Sequence, residues 1–155
     1  MLGVALIAGL IWYYRKRPEK EVVIEAAKPG IPAHTLAVSK LKGLREKKLW
    51  QRGEVKQYYI ELSDILREYI EKRYMIKTHE KTTDEIFAGL KYIDIAKENK
   101  NILRQILTLS DLVKFAKEKP LPVENEECMD NAVIFVLETQ GAVPAESAEG
   151  GKTHV

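Results

Sequence analysis

Apolar and polar positions divide the chain into three regimes. Residues 1–14, MLGVALIAGLIWYY, carry no charge, and Arg15, Lys16 and Arg17 follow at once. Residues 18–32 have no steady period and are punctuated by Pro18, Pro29, Gly30 and Pro32. They read as a linker, with Val22, Val23 and Ile24 as a brief strand or a frayed turn. From Ala33 onward apolar residues return at three- and four-residue steps, the period of an amphipathic helix.

Five helices are predicted from that period. The first runs from Ala33 to Arg52, with Pro32 at its start and Leu36, Val38, Leu41, Leu44 and Leu49 recurring along it. Gly53 stops it by taking the left-handed conformation. The second, Glu54 to Tyr74, has the strongest stripe: Val55, Tyr58, Tyr59, Leu62, Ile65, Leu66, Tyr69 and Ile70. Its polar face includes a favourable Glu68–Lys72 pair one turn apart. Thr82 and Glu85 form a capping box that opens a short third helix through Ile86, Phe87, Leu90 and Ile93, with Gly89 suited to close packing. Asn101 opens the fourth, whose predicted inward stripe is Ile102, Ile106, Leu109, Val113 and Ala116, ended by Pro120 and Pro122. The fifth spans Glu124 to Thr139, with Met129, Ala132, Val133, Val136 and Leu137 inward. The expected fold is all-α, a compact bundle of about five helices over residues 33–139. Residues 140–155, rich in Ala, Gly, Glu and Ser, read as a disordered tail.

The uncharged N-terminal run has three readings. A signal peptide would place its basic residues before the apolar run and a small-residue cleavage site after it, and neither holds here. A buried core helix is opposed by the polar linker that follows. A transmembrane helix needs about 20 apolar residues, so the run matches its final part, with the beginning upstream of Met1. Trp12, Tyr13 and Tyr14 then stand where interfacial aromatics belong, and Arg15, Lys16 and Arg17 where positive-inside charge belongs. Residues 1–17 are therefore expected to close a membrane helix. The domain after them is expected on the cytoplasmic side of the inner membrane.

Charge narrows the partner classes. With 25 Lys and Arg against 23 Asp and Glu, the net charge of +2 is no footprint of a general nucleic-acid binder. The first helix nevertheless concentrates Lys40, Lys42, Arg45, Lys47, Lys48 and Arg52. That face is a solvated surface, an attraction to the anionic leaflet, or a nucleic-acid contact. A helix-turn-helix drawn through Thr82 to Phe115 offers only Arg104 and Gln105 near the start of its recognition helix. A membrane-anchored DNA-binding regulator is thus the alternative function.

No catalytic, metal or cofactor site is expected. His34, His79 and His154 lack zinc-ligand spacing, the glycines form no phosphate loop, and Cys128 lies among Glu126, Glu127 and Asp130, which disfavour a thiolate. Tyr58, Tyr59, Tyr69 and Tyr74 gather on the second helix. Tyr58 and Tyr59 cannot point to one spot, so one of them is expected at the surface, where aromatics anchor partners. The candidate partner-binding residues are Tyr58, Tyr59, Arg45, Lys47, Lys48 and Arg52.

Several of these strings together resemble a known family. They are Leu44 to Trp50, Gly53-Glu54, Tyr58-Tyr59, Leu62 with Ile65 to Tyr74, Thr82 to Ile86, and Asp111 to Lys117 ahead of Pro120. The chain looks like the cytoplasmic C-terminal domain of BatD-like oxygen-tolerance membrane proteins of bacteria. Met75 departs from the pattern, which favours glycine after the aromatic. The resemblance implies a β-rich extracytoplasmic region upstream, one membrane helix and a non-catalytic helical module. It implies as partners a MoxR-type AAA+ ATPase or von Willebrand factor A-domain proteins, in envelope stress or oxygen tolerance.

Overall fold

The computed structural model describes residues 30–141, with Ala5, Ala8 and Gly9 ahead of them. Residues 1–31 and 32–155 are separate units. The second unit holds α1 (Ala33–Glu46), α2 (Val55–Tyr74), α3 (Thr83–Leu90), α4 (Lys97–Ala116) and α5 (Pro122–Thr139). The expected all-α bundle of five helices is what the chain forms. The predicted membrane-interface residues Trp12, Tyr13, Tyr14, Arg15, Lys16 and Arg17 lie outside the described residues, as do the linker through residue 29 and the tail from 142. Among the described residues, no helix is long and apolar enough to cross a membrane.

The four long helices stand in a ring in which α1 meets α2, α2 meets α4, α4 meets α5 and α5 meets α1. Neighbours run antiparallel. Lys47 pairs with Glu61 and Lys40 with Glu68 across α1 and α2, and Lys114 in the last turn of α4 reaches Ser63 in the first half of α2. The topology is up-down-up-down, with α3 laid on α4 within the α2-to-α4 connection. The α1–α2 loop and the α4–α5 turn consequently share one end of the bundle. Leu41, Leu62, Leu66, Ile70, Leu103, Ile106, Phe135 and Val136 fill the centre.

Helix boundaries follow from where the core lies. The first helix ends at Glu46, six residues before the predicted stop at Arg52. Lys48 takes a left-handed conformation, φ +50°. Ala37, Leu41 and Leu44 are buried on α1, and an unbroken helix would bring position 48 to that face next. The break puts Leu49 there instead, 5% exposed, and leaves Lys48 in solvent. Gly53, expected to stop the helix, instead closes the loop that follows it. At φ +81° it lets its own N–H reach the Trp50 carbonyl and the Glu54 N–H reach the Leu49 carbonyl, a Schellman closure.

The capping box forms: the Glu85 N–H donates to Thr82 Oγ1 at 3.2 Å, and the Thr82 N–H to Glu85 Oε2 at 2.7 Å. Gly89 meets Ile76 so closely that an added Cβ would lie 3.3 Å from its Cγ2. The fourth helix begins at Lys97, a turn earlier than expected. Its buried stripe is Asn99, Leu103, Ile106, Leu107, Ser110 and Val113, whereas Ala116 is exposed and Ile102 and Leu109 only flank the core. The fifth opens with Pro122 at its first position and turns Phe135 inward, leaving Leu137 46% exposed. On both helices the apolar residues outnumber the buried positions, so periodicity alone selected a stripe offset from the true one.

Met75 ends α2 in the left-handed conformation, φ +57°, although it is not glycine. A β-carbon there costs roughly 1–2 kcal/mol. The side chain is 86% exposed, so it returns little packing. Met75→Gly should therefore raise the unfolding free energy by about 0.5–1 kcal/mol, the strain relieved being partly offset by the looser unfolded chain. A shifted urea midpoint at unchanged slope would record it; an unchanged midpoint would mean that the cap is unstrained.

Candidate interaction site beside Trp50

The residues predicted to bind a partner separate into a buried set and an exposed set. Tyr58 and Tyr59 are both buried, at 1% and 0% exposure, so the expectation that one of them faces solvent is corrected. Its basis was a helix with one narrow inward face, but α2 touches α1, α4 and α5. Its buried arc is wide enough to take adjacent positions. The two rings pack edge to face, 5.1 Å between centroids. Both hydroxyls find partners on α5: Tyr58 donates to the Asn125 carbonyl at 2.8 Å and Tyr59 to Asn125 Oδ1 at 2.6 Å. Burial raises the pKa of both phenols well above the usual tyrosine value. Burial likewise pushes the Cys128 thiol up, with the Glu124 and Glu127 carboxylates adding to it.

Arg45, Lys47, Lys48 and Arg52 are all exposed, and three of them are already paired. Arg45 meets Asp130 at 2.6 Å, Lys47 meets Glu61 at 2.7 Å and Arg52 meets Glu54 at 3.2 Å. Lys40 meets Glu68, which also takes Lys72 at 2.8 Å, the pair expected from sequence. Much of the basic face of α1 thus latches it to α2 and α5. Exposed pairs of this kind hold by only about 0–1 kcal/mol, so a partner can exchange them. Lys42 and Lys48 have no carboxylate partner among the described residues.

One shallow cleft joins the two sets. Leu44, Leu49, Met129 and the edge of Tyr58 line it together with Trp50 and Gln51, and Arg45 and Glu126 add charge at its border. The α1–α2 loop, carrying Lys48 and Arg52, forms one wall. Trp50 is half-buried, with one side on the core and the other open. The left-handed break at Lys48 is what turns Leu49 and Trp50 toward this spot. Periodicity extended the helix through it, which is why sequence reading passed over Trp50 as a site residue.

Other strings that carried the family resemblance meet elsewhere, in polar contacts that bind α2, α3 and α4 together. Thr83 Oγ1 donates to Asp111 Oδ2 at 2.6 Å, and Lys114 lies 3.7 Å from Asp111 and 3.3 Å from Ser63 Oγ. Arg67 donates to the Lys81 carbonyl at 2.6 Å and accepts at its own carbonyl from Thr78 at 2.9 Å. These residues hold the bundle. Arg104, the arginine that a DNA-reading helix would use, stacks 4.0 Å over Phe87 and lies 3.7 Å from Asp84. Among the described residues no three His, Cys, Asp or Glu side chains gather as metal ligands. Comparison of the chain with family models, curated proteins and solved structures finds no match.

Two outcomes follow. Asn125→Ala strands the Tyr59 hydroxyl in the core and should destabilise the fold by about 1–3 kcal/mol, whereas Tyr59→Phe in that background should recover part of the loss. Urea denaturation of the four chains measures the coupling, and simple additivity would count against the contact. Glu68 provides a pH test. Burial alone would raise its pKa, but the Lys40 and Lys72 ammonium groups outweigh burial and hold it below the usual glutamate value. A lowered folded pKa contributes stability that is complete above the unfolded value, about 4.3, and is lost as pH falls through the folded one. Glu68→Gln should therefore be less stable than wild type at neutral pH, with the difference closing below about pH 4. A constant difference across that range would show that Glu68 gains nothing from its ammonium partners.

Proposed function

We propose that this chain is a non-catalytic helical interaction module, tethered to the cytoplasmic face of the inner membrane by the segment before residue 18. The exposed side of Trp50 packs against an apolar side chain of a protein partner, while Arg45, Lys48 and Arg52 meet acidic residues around it. The observation that carries this reading is Trp50 itself. It is a half-buried tryptophan beside Leu44, Leu49 and Met129 with Arg45 at the edge, and tryptophan and arginine are residue types that dominate interface energetics. The uncharged run 1–14 with its aromatic and basic border supports the tether. The resemblance to BatD-like domains supports a MoxR-type AAA+ ATPase or a von Willebrand factor A-domain protein as the partner, in envelope stress or oxygen tolerance.

The test is affinity capture by the full chain from a detergent extract, read by mass spectrometry, followed by binding measurements with the captured ATPase or A-domain protein. Trp50→Ala should weaken that complex by about 2 kcal/mol, close to thirtyfold, without unfolding the bundle. Arg45→Glu with Lys48→Glu should slow association and flatten its salt dependence. Failure to capture either class, or an affinity untouched by Trp50→Ala in a folded chain, would overturn the proposal.

A further inference from the structure

The end of the bundle that carries the α1–α2 loop and the α4–α5 turn has its charges sorted by edge. In the ring, α1 beside α2 forms one edge of that end, and α4 beside α5 forms the opposite one. On the loop edge, from Lys47 to Lys56, the exposed cations are Lys47, Lys48, Arg52 and Lys56, against Glu54 alone. On the turn edge, from Lys117 to Glu127, the exposed acids are Glu118, Glu124, Glu126 and Glu127, against Lys117 and Lys119. The loop edge is thus net positive and the turn edge net negative. Lys48 and Lys56 on the first, and Glu118, Glu126 and Glu127 on the second, make no ion pair among the described residues. Both edges also show apolar surface: half-buried Trp50 on one, exposed Phe115, Leu121 and Val123 on the other.

Opposite charge on opposite edges of one face is self-complementary. A two-fold axis lying in that face, parallel to the two edges, exchanges them, so the loop of each copy lies on the turn of the other. Each cationic edge then meets an acidic one, and the match occurs twice. An anionic surface would be repelled by the turn edge, and a cationic surface by the loop edge. A second copy presents both signs in the order required, with an apolar group at the middle of each contact.

We propose that the chain pairs end to end with a second copy of itself, the basic α1–α2 loop of each seated on the acidic α4–α5 turn of the other. The contact is small. Four helices of about 10 Å diameter make an end of roughly 400 Å². A pair then buries about 800 Å², below the ~1,200 Å² at which stable complexes begin. Pairing is therefore weak and reversible, and salt weakens it further by screening the exposed charges. The pair covers Trp50, so a second copy and the protein partner proposed for that site exclude each other.

The test uses the full chain in detergent with Cys128→Ala and a dye on Ala88→Cys, an exposed position on α3. Donor-labelled and acceptor-labelled chains are mixed, and energy transfer is followed as concentration rises. Transfer should rise with concentration and fall with added salt. Lys48→Glu with Arg52→Glu should reduce it several-fold, and so should Glu126→Lys with Glu127→Lys, each with the helical circular dichroism unchanged. Mixing the two reversed chains should restore it, because loop and turn again carry opposite signs at both contacts. If Glu126→Lys unfolds the chain, Glu118→Lys with Glu127→Lys takes its place. Three results would overturn the proposal: no transfer in the unreversed chain, transfer that survives both reversals and so comes from another part of the chain, or loss in both reversed chains without recovery on mixing. No other protein enters this measurement, so failed pairing and failed partner capture are read separately.

Discussion

The arrangement depends on tyrosine hydroxyls that cross the middle of the bundle. The helices α2 and α5 stand diagonally in the ring, where backbones approach less than those of neighbours and long side chains span most of the gap. Tyr58 and Tyr59 reach Asn125 at one end, and Tyr69 reaches Thr139 Oγ1 at 2.8 Å and the Val136 carbonyl at 3.3 Å at the other. A phenol buried without a partner costs about 1–3 kcal/mol, so each contact is needed once the ring is inside. Tyr58 to Asn125 and Tyr69 to Val136 have the same sequence offset of 67, which makes the two helices parallel and in register. A slide of one residue would break both ends together. With the diagonal set, α1 and α4 fill the two sides and the leucines of α2 are enclosed.

Charge distribution follows from that frame. Lys40, Arg45 and Lys47 are drawn to the acids of α2 and α5 and become latches, so the sequence's most basic stretch is less free than its composition suggests. The exposed functional candidates gather at the end shared by the α1–α2 loop and the α4–α5 turn. There the break at Lys48 and the prolines at 120 and 122 relax the helical pattern, and Trp50 on one flank and Phe115 and Leu121 on the other reach the surface. The interaction is proposed at the Trp50 side of this end, where the tryptophan is half-buried on the core.

The fold and the candidate site were legible to different degrees. The stripe of α2 and the Thr82–Glu85 box are local signals, each satisfied within a few residues, and each forms as read; Gly53 takes the left-handed conformation, but it closes a loop after a helix that has already ended at Glu46. The inward faces of α4 and α5 were misjudged because Ile102, Leu109 and Leu137 fit an amphipathic stripe as well as Leu103, Leu107 and Phe135 do. The candidate site lies on the stretch the basic residues pointed to, but Tyr58 and Tyr59 are buried and Trp50 takes their place at the surface. Arg45 borders the cleft, and Lys48 and Arg52 lie on the loop that carries Trp50, while Tyr58 and Tyr59 bond α5 in the core.

The amino-acid order by itself determined that residues 33–139 make amphipathic helices, where most of them begin and end, and that the class is all-α. Helical period, caps and breakers act over a turn or two and need no distant partner. Only the tertiary structure decided that α2 is buried on three sides, that Tyr58, Tyr59 and Tyr69 bond α5, that lysines of α1 are latches, and that Trp50, Phe115 and Leu121 remain at the surface. Each of those outcomes depends on which helix lies across from which, and contacts between residues more than sixty positions apart leave no periodic trace in the chain.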